Sequence, residues 1–157
     1  MIVITRILGL VLSVSAIAIA RTDLDEQGLK LLQDHGGWEY VRISLSDQDS
    51  GFQTEHVCFD GQPHPRDCAG RLTLSPSNTF VQEVSIRGQT VGRHGTYEID
   101  GDQLSFFDEF GTRDGPYTFE LNADDKWLVL STPQVKLELE LESQYKEDLQ
   151  KKKAPRH

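Results

Sequence analysis

The chain of 157 residues lacks the short motifs that usually announce a reaction. It contains no Gly-x-Ser-x-Gly elbow, no His-Glu-x-x-His pair, no phosphate loop and no dinucleotide fingerprint. No nucleophile or phosphate chemistry is read from it, and no cofactor is expected. Basic residues are also few: 16 Lys and Arg stand against 25 Asp and Glu, a formal charge of −9. Nucleic-acid binders need a basic surface to displace counterions, so that class is set aside. An acidic surface mainly confers solubility and would attract a cationic partner. Carboxylates are plentiful, but most fall in turns or on the solvent side of alternating strands. A catalytic reading would at minimum require His94, Arg93 and a carboxylate to meet in a pocket.

Long apolar runs are absent beyond residue 20. Before it, Met1 to Arg6 carries one positive charge, Ile7 to Ile17 is apolar, and Ala18-Ile19-Ala20 has the small-x-small form of a signal-peptidase site. Residues 1–20 therefore read as a signal peptide. The uncharged run from Ile7 to Ala20 is shorter than the ~20 residues of a spanning helix, so no membrane span is expected after cleavage. No Cys follows the cleavage site, which argues against a lipid anchor. Removal of the segment leaves 15 Lys and Arg against 25 Asp and Glu. The protein is expected to be exported, either periplasmic or secreted.

Only two cysteines are present, Cys58 and Cys68, ten positions apart around Gly61, Pro63 and Pro65. In an oxidising compartment such a pair closes a turn-rich loop as a disulfide. His56, Cys58, His64 and Cys68 could instead offer four zinc ligands, but their spacing matches no compact zinc motif, and no metal site is assigned. Asp47-Gln48-Asp49-Ser50-Gly51 resembles the start of a calcium loop without its third acidic ligand or its terminal Glu, and reads as a solvated turn.

What the chain has in abundance is period-two alternation. A short helix over Leu24 to Asp34, stopped by Gly36-Gly37, precedes a strand from Trp38 to Ser46. In that strand Val41, Ile43 and Leu45 share one face, and Trp38, Tyr40, Arg42 and Ser44 share the other. Phe52 to Phe59 is a further strand. Arg71 to Leu74 and Thr79 to Ile86 form a hairpin about Ser75-Pro76-Ser77-Asn78, and Arg87 to Thr90 turns the chain. Val91 to Asp100 and Asp102 to Phe107 form a hairpin about Asp100-Gly101, with Tyr97 set against Leu104, Ile99 against Asp102, and Phe106 beside Gly95. A long loop is expected over Asp108 to Gly115. Tyr117 to Leu121, Trp127 to Leu130 and Val135 to Leu141 complete the strands, and the charged tail from 146 to 157 is helix or coil.

The tally is eight or nine antiparallel strands, which suits a two-layer sandwich or an up-and-down barrel or half-barrel in one domain over 21–145. Gly36-Gly37-Trp38 reads as the Gly-x-Trp entry of a first lipocalin strand. Gly70 to Leu74, Gly95 to Leu104, and Phe119 to Leu121 with Leu128 to Ser131 look like strand blocks of small bacterial lipocalin-like domains. The resemblance implies a barrel holding one small apolar or amphipathic molecule in its mouth.

Face parity puts Tyr97, Leu104, Phe106, Tyr117, Phe119 and Leu137 inward, and the ligand-binding candidates are Arg93, Tyr97, Phe106, Tyr117 and Phe119. Arg93 shares parity with Tyr97 and would need a carboxylate if buried, with Asp108 as the internal candidate. A bulge at Gly95 would reverse that parity and leave Arg93 in water. Two partner classes follow: a small hydrophobic ligand in the barrel, or a protein partner engaged by the loops in the manner of a secreted inhibitor.

Overall fold

The alternation becomes a closed cylinder in the computed structural model, which describes residues 24–47, 49–59 and 67–153. Residues 1–20, expected to be a signal peptide, the cysteine loop around Gly61 to Pro65 with His64, and the last four residues lie outside the described residues. In chain order the elements are α1 (Glu26–Leu32), β1 (Trp38–Ser46), β2 (Gln53–Val57), β3 (Cys68–Leu74), β4 (Thr79–Ile86), β5 (Gln89–Asp100), β6 (Gln103–Asp108), β7 (Arg113–Asn122), β8 (Trp127–Ser131), β9 (Val135–Leu141) and α2 (Glu142–Lys153). Strands β3 to β9 pair antiparallel in sequence order, and β1 closes the barrel by pairing with β3 on one side and β9 on the other. The result is an eight-stranded up-and-down barrel, not a sandwich, with β2 added as a ninth strand on the far half of β1. Among the described residues no helix is long and apolar enough to cross a membrane.

Two local irregularities decide which side chains face inward. Pairing of β1 with β9 slips between Tyr40 and Arg42, so Val41 is an extra residue. Trp38 and Tyr40 point inward before the slip and Ile43 after it, and all three are buried. The expected division of β1 into two opposite faces is thus corrected: a bulge lets both sets serve one interior. The second slip lies between β6 and β7, where Leu104 pairs with Tyr117 but Phe106 pairs with Asp114. The extra residue falls in Gly115-Pro116, a pair poorly suited to a regular central strand because Pro donates no ladder bond.

Elsewhere the registers run without interruption. β5 passes through Gly95 with no bulge, pairing Phe80 with Gly95 on one side and Asp108 with Gly95 on the other. The β5–β6 turn is centred one residue later than expected. Asp100 pairs with Gln103 across Gly101-Asp102, Ile99 faces Leu104, and Tyr97 faces Phe106. The shift is two residues in register, so face parity is unchanged. Gly101 takes φ +61, which only a residue without Cβ adopts freely.

The loop expected over Asp108 to Gly115 shrinks to four residues, because β7 begins at Arg113. Asp108 holds that turn by accepting from the backbone N–H of Phe110 (2.9 Å) and Thr112 (2.7 Å). The Asp47 turn is closed in the same way, with Asp47 accepting from the N–H of Asp49 at 2.9 Å.

The two ends of the cylinder differ. At the first end lie α1 and the turns at 75–78, 101–102 and 123–126. There the interior is packed shut by Leu32, Trp38, Leu72, Leu74, Phe80, Leu104, Leu128 and Leu139, all essentially inaccessible. Asp25 caps α1 through Gly28 N–H at 2.6 Å, and the Trp38 indole N–H donates to the Leu32 carbonyl at 2.9 Å. The helix is thus fastened across this end like a plug. At the second end lie the loops 47–52, 87–88, 109–112 and 132–134, and no helix covers it among the described residues. C-terminal α2 packs on the flank, where Tyr145 meets Phe59 at 4.5 Å between ring centroids.

Candidate functional site

Inward-facing positions on neighbouring strands stack in pairs, and following β4 and β5 toward the second end gives the site. Phe80 faces Gly95 deep in the barrel, Gln82 faces Arg93 one pair further out, and Val84 faces Val91 beyond that. Val91 is 62% exposed although it lies on the inward face. Together with His56, Ile86, Arg87 and Gln89, the two valines line a groove of about 540 Å³. A packed core would have covered these side chains.

The Gln82–Arg93 pair belongs to a chain of polar groups spanning the interior from β1 to β7. Gln82 Nε2 donates to the Tyr40 hydroxyl at 2.5 Å, and Gln82 Oε1 accepts from Arg93 Nε at 2.9 Å and Arg93 Nη2 at 2.5 Å. Arg93 Nη2 also donates to Asp114 Oδ2 at 2.6 Å, and Asp114 Oδ1 accepts from the Tyr117 hydroxyl at 2.8 Å. The arrangement answers the cost of placing a guanidinium inside a barrel, since its carboxylate partner stands on the same face. Solvent still reaches it, because the Arg93 and Asp114 side chains are 37% and 32% exposed.

Burial raises the ionisation of both tyrosines at the ends of the chain. Tyr40 is pushed up to about 12, by desolvation first. Tyr117 is pushed up by desolvation and then by its hydrogen bond to Asp114. Both phenols are therefore neutral donors and acceptors across the physiological range.

The other end of the groove carries a second polar pair. His56 is buried and its Nδ1 lies 2.5 Å from Asp67 Oδ2, a hydrogen bond that holds the Asp67 carboxyl below the usual range. Beside it Cys58 and Cys68 are joined as a disulfide with sulfurs 2.01 Å apart. Two of the four zinc ligands considered from the sequence are consumed by that bond. Among the described residues no three His, Cys, Asp or Glu side chains gather as a metal site.

Of the residues singled out from sequence, Arg93 and Tyr117 are brought together through Asp114. Phe106 contacts Tyr117 edge-on at 6.0 Å and Phe80 at 4.9 Å, as part of the packed interior below the polar chain. Tyr97 and Phe119 lie toward the plugged end. The Tyr97 hydroxyl accepts from Gln33 at 2.6 Å and donates to the Ser75 carbonyl at 2.8 Å, which ties the plug to a turn. His94 takes the outer face and pairs with Glu109 at 3.2 Å, so Arg93 and His94 do not share a pocket.

Asp108 is not the partner of Arg93. It is engaged in its own turn, and Asp114 takes the role because the Gly115-Pro116 slip turns it inward. Strict parity with Tyr117 would have sent Asp114 outward. A Gly-Pro pair inside an alternating strand was the available signal. Gln82 and Tyr40 were also missed as members of the site, since uncharged polar residues at inward positions leave no mark in a hydrophobic pattern.

Two other grooves bear on the choice of site. One of about 590 Å³ lies between α1 and the β7–β8 turn, but Asp25, Asp102, Glu120 and Asp124 line it and set four carboxylates around any occupant. Another of about 360 Å³, between β1, β2 and the 132–134 loop, is lined mainly by Ser, Thr, Gln and Glu side chains. The β4–β5 groove mixes the apolar side chains of Val84, Ile86 and Val91 with a few polar ones, as small-molecule sites commonly do, and the Gln82–Arg93 pair stands one register step deeper in the barrel. Comparison with known proteins returned no match to any protein family, curated protein or solved structure.

Proposed function

We infer that this is an exported binding protein for a small apolar or amphipathic molecule, held at the unplugged end of the barrel. The reading agrees with the resemblance of its strand blocks to lipocalin-like domains. One observation carries it: Val91 faces inward yet is 62% exposed, on the wall of a 540 Å³ groove one register step beyond the Gln82–Arg93 pair. Export is supported by the signal-like first 20 residues and by the disulfide.

Native mass spectrometry of the purified protein and saturation with Nile red test this reading. Saturable uptake is expected, weakened at least tenfold in Val91→Glu, which sets a carboxylate on the groove wall. Absence of saturable binding, or binding indifferent to Val91→Glu, sinks it.

A second reading, engagement of a protein partner, rests on Phe110 and Phe52. They are 85% and 62% exposed in the loops 109–112 and 47–52 of the same end. Exposed aromatic residues at loop tips are the usual anchors of interfaces. Pull-down from the export compartment with a Phe52→Ser/Phe110→Ser double variant decides it, and an unchanged set of partners counts against it.

A further inference from the structure

The outer half of β5 stands at an open sheet edge. β6 ends at Asp108, whose partner is Gly95, so Gln89 to His94 pair with β4 on one side and with no strand on the other among the described residues. One bond fixes how the backbone is turned along this stretch. Tyr97 N–H donates to the Asn78 carbonyl on the β4 side at 2.9 Å, and peptide groups alternate sides along a strand. Those of Val91 and Arg93 therefore face β4. The N–H and C=O of Thr90, Gly92 and His94 point to the open edge, and all three residues are exposed.

Unpaired edges attract another strand, and proteins commonly blunt them with Pro, Lys, a bulge or a covering segment. Gln89 to His94 contains neither Pro nor Lys, and its register with β4 runs without a bulge. Gly92 adds a second observation. Its φ lies outside the left-handed region and a Cβ there would meet only the Gln82 carbonyl oxygen, at 4.0 Å, so the fold of one chain does not demand glycine. A glycine inside a strand weakens it and often marks where another backbone approaches.

We propose that this edge is a dimer interface, in which β5 of a second copy of the chain pairs antiparallel with β5 about a two-fold axis at Val91. The inference goes beyond the binding reading and does not depend on it. In this register Val91 stands opposite its own copy as a non-hydrogen-bonded pair, and Thr90 stands opposite Gly92 of the second copy. Two such Thr90–Gly92 pairs of two bonds each give four main-chain hydrogen bonds. The two valines, each 62% exposed in the single chain, cover one another, and Gln89 faces Arg93, so no like charges are opposed. The Arg87-Gly88 turn of one copy falls in line with the end of β6 of the other, where Glu109 follows, and a cation is set toward a carboxylate. From Val84 to Tyr97 the chain has two arginines and no carboxylate, so its formal charge of −9 is carried elsewhere.

Four hydrogen bonds and a valine pair make a small interface, and a dissociation constant of about 100 μM is expected. Sedimentation equilibrium from about 10 μM to 1 mM should then show a mass rising toward twice that of one chain. Gly92→Pro removes an edge donor and leaves the β4 bonds in place, and Val91→Lys sets two cations at the axis. Each should weaken association at least tenfold with the circular dichroism unchanged. Cross-linking tests the register. The two native cysteines are joined, so a single Val91→Cys reports alone, and a non-hydrogen-bonded pair sets its Cα about 4.5 Å from that of the second copy, within disulfide reach. Val91→Cys should oxidise to a covalent dimer at least tenfold faster than Val81→Cys, a β4 position of similar exposure. The mass of one chain throughout the concentration range overturns the proposal. A dimer that Gly92→Pro and Val91→Lys leave intact, or equal cross-linking at positions 81 and 91, overturns this interface in favour of another surface.

Discussion

Gly95 is where two backbones come closest. A Cβ built there would sit 1.9 Å from the carbonyl oxygen of Phe107 on the paired strand, so no side chain fits without parting β5 from β6. Gly95→Ala is expected to cost about 3 kcal/mol, measured by urea unfolding. Gly51 makes the comparison, because its Cβ would meet nothing within 4 Å and only its φ of +68 resists substitution. Gly51→Ala should cost about 1 kcal/mol. Equal losses at the two positions would show that the close approach is relaxed in solution.

Tyr40 offers a second test at the same scale. Its phenol ionises near 12 in the folded protein and near 10 when unfolded. The native state therefore holds its proton more tightly, and the stabilisation is fully present below pH 10. It is lost as pH rises from about 10 toward 12, at about 1.4 kcal/mol per pH unit for one such group. Tyr40→Phe should make that alkaline slope shallower, with the share of Tyr117 remaining, read from denaturant midpoints between pH 9 and 11.5. An unchanged slope would mean that the phenol titrates normally.

Among the elements, β7 carries the decisive irregularity. Asp114 faces inward only because Gly115-Pro116 adds a residue against β6, and there it meets Arg93. Asp114→Asn removes the negative charge and leaves the guanidinium with neutral acceptors only. The side chains are about a third exposed, so solvent screens part of the loss, and a cost of about 1–2 kcal/mol is expected. Asp108→Asn should leave Arg93 undisturbed, since Asp108 serves its own turn. If the Arg93 Nε proton shifts in NMR spectra of Asp108→Asn and not of Asp114→Asn, then Asp108 and not Asp114 is the partner of Arg93 in solution.

The same strand shows what a sequence does and does not disclose. Alternation identified the strand class, and the bounds of β1 and β4 agree with their periodic runs, Trp38 to Ser46 and Thr79 to Ile86. The inward set of Tyr97, Leu104, Phe106, Tyr117, Phe119 and Leu137 is buried throughout. Parity is local, however, and a single extra residue reverses it for everything beyond. That happened at Val41 and at Gly115-Pro116, not at Gly95, where the pattern alone allowed a bulge. The hairpin turn moved by one residue with its faces intact, because both registers keep the same parity. Arg93 was legible as a cation that faces inward unless Gly95 carries a bulge, and the uninterrupted register through Gly95 decides for the inward face. Its partners Asp114 and Gln82 were not, because their placement depends on the pairing of strands β4 to β7.

At the scale of the whole molecule, the barrel is asymmetric along its axis. One end fills its interior with large apolar side chains and a fastened helix, and the other leaves Val84, Ile86 and Val91 on the wall of an open groove. This asymmetry predicts where a bound molecule changes the protein. On saturation with Nile red, amide hydrogen exchange should slow in the segment from Val84 to Arg93, whose backbone forms the groove wall. It should not change in α1 or at the β7–β8 turn around Ala123, which flank the acidic groove. Local opening governs exchange at the ends of strands, so a ligand of micromolar affinity at saturating concentration should slow it severalfold there. Protection centred on Leu24, Phe119 and Leu121 instead would move the site to the plugged end, where four carboxylates surround the groove and Arg93 has no part.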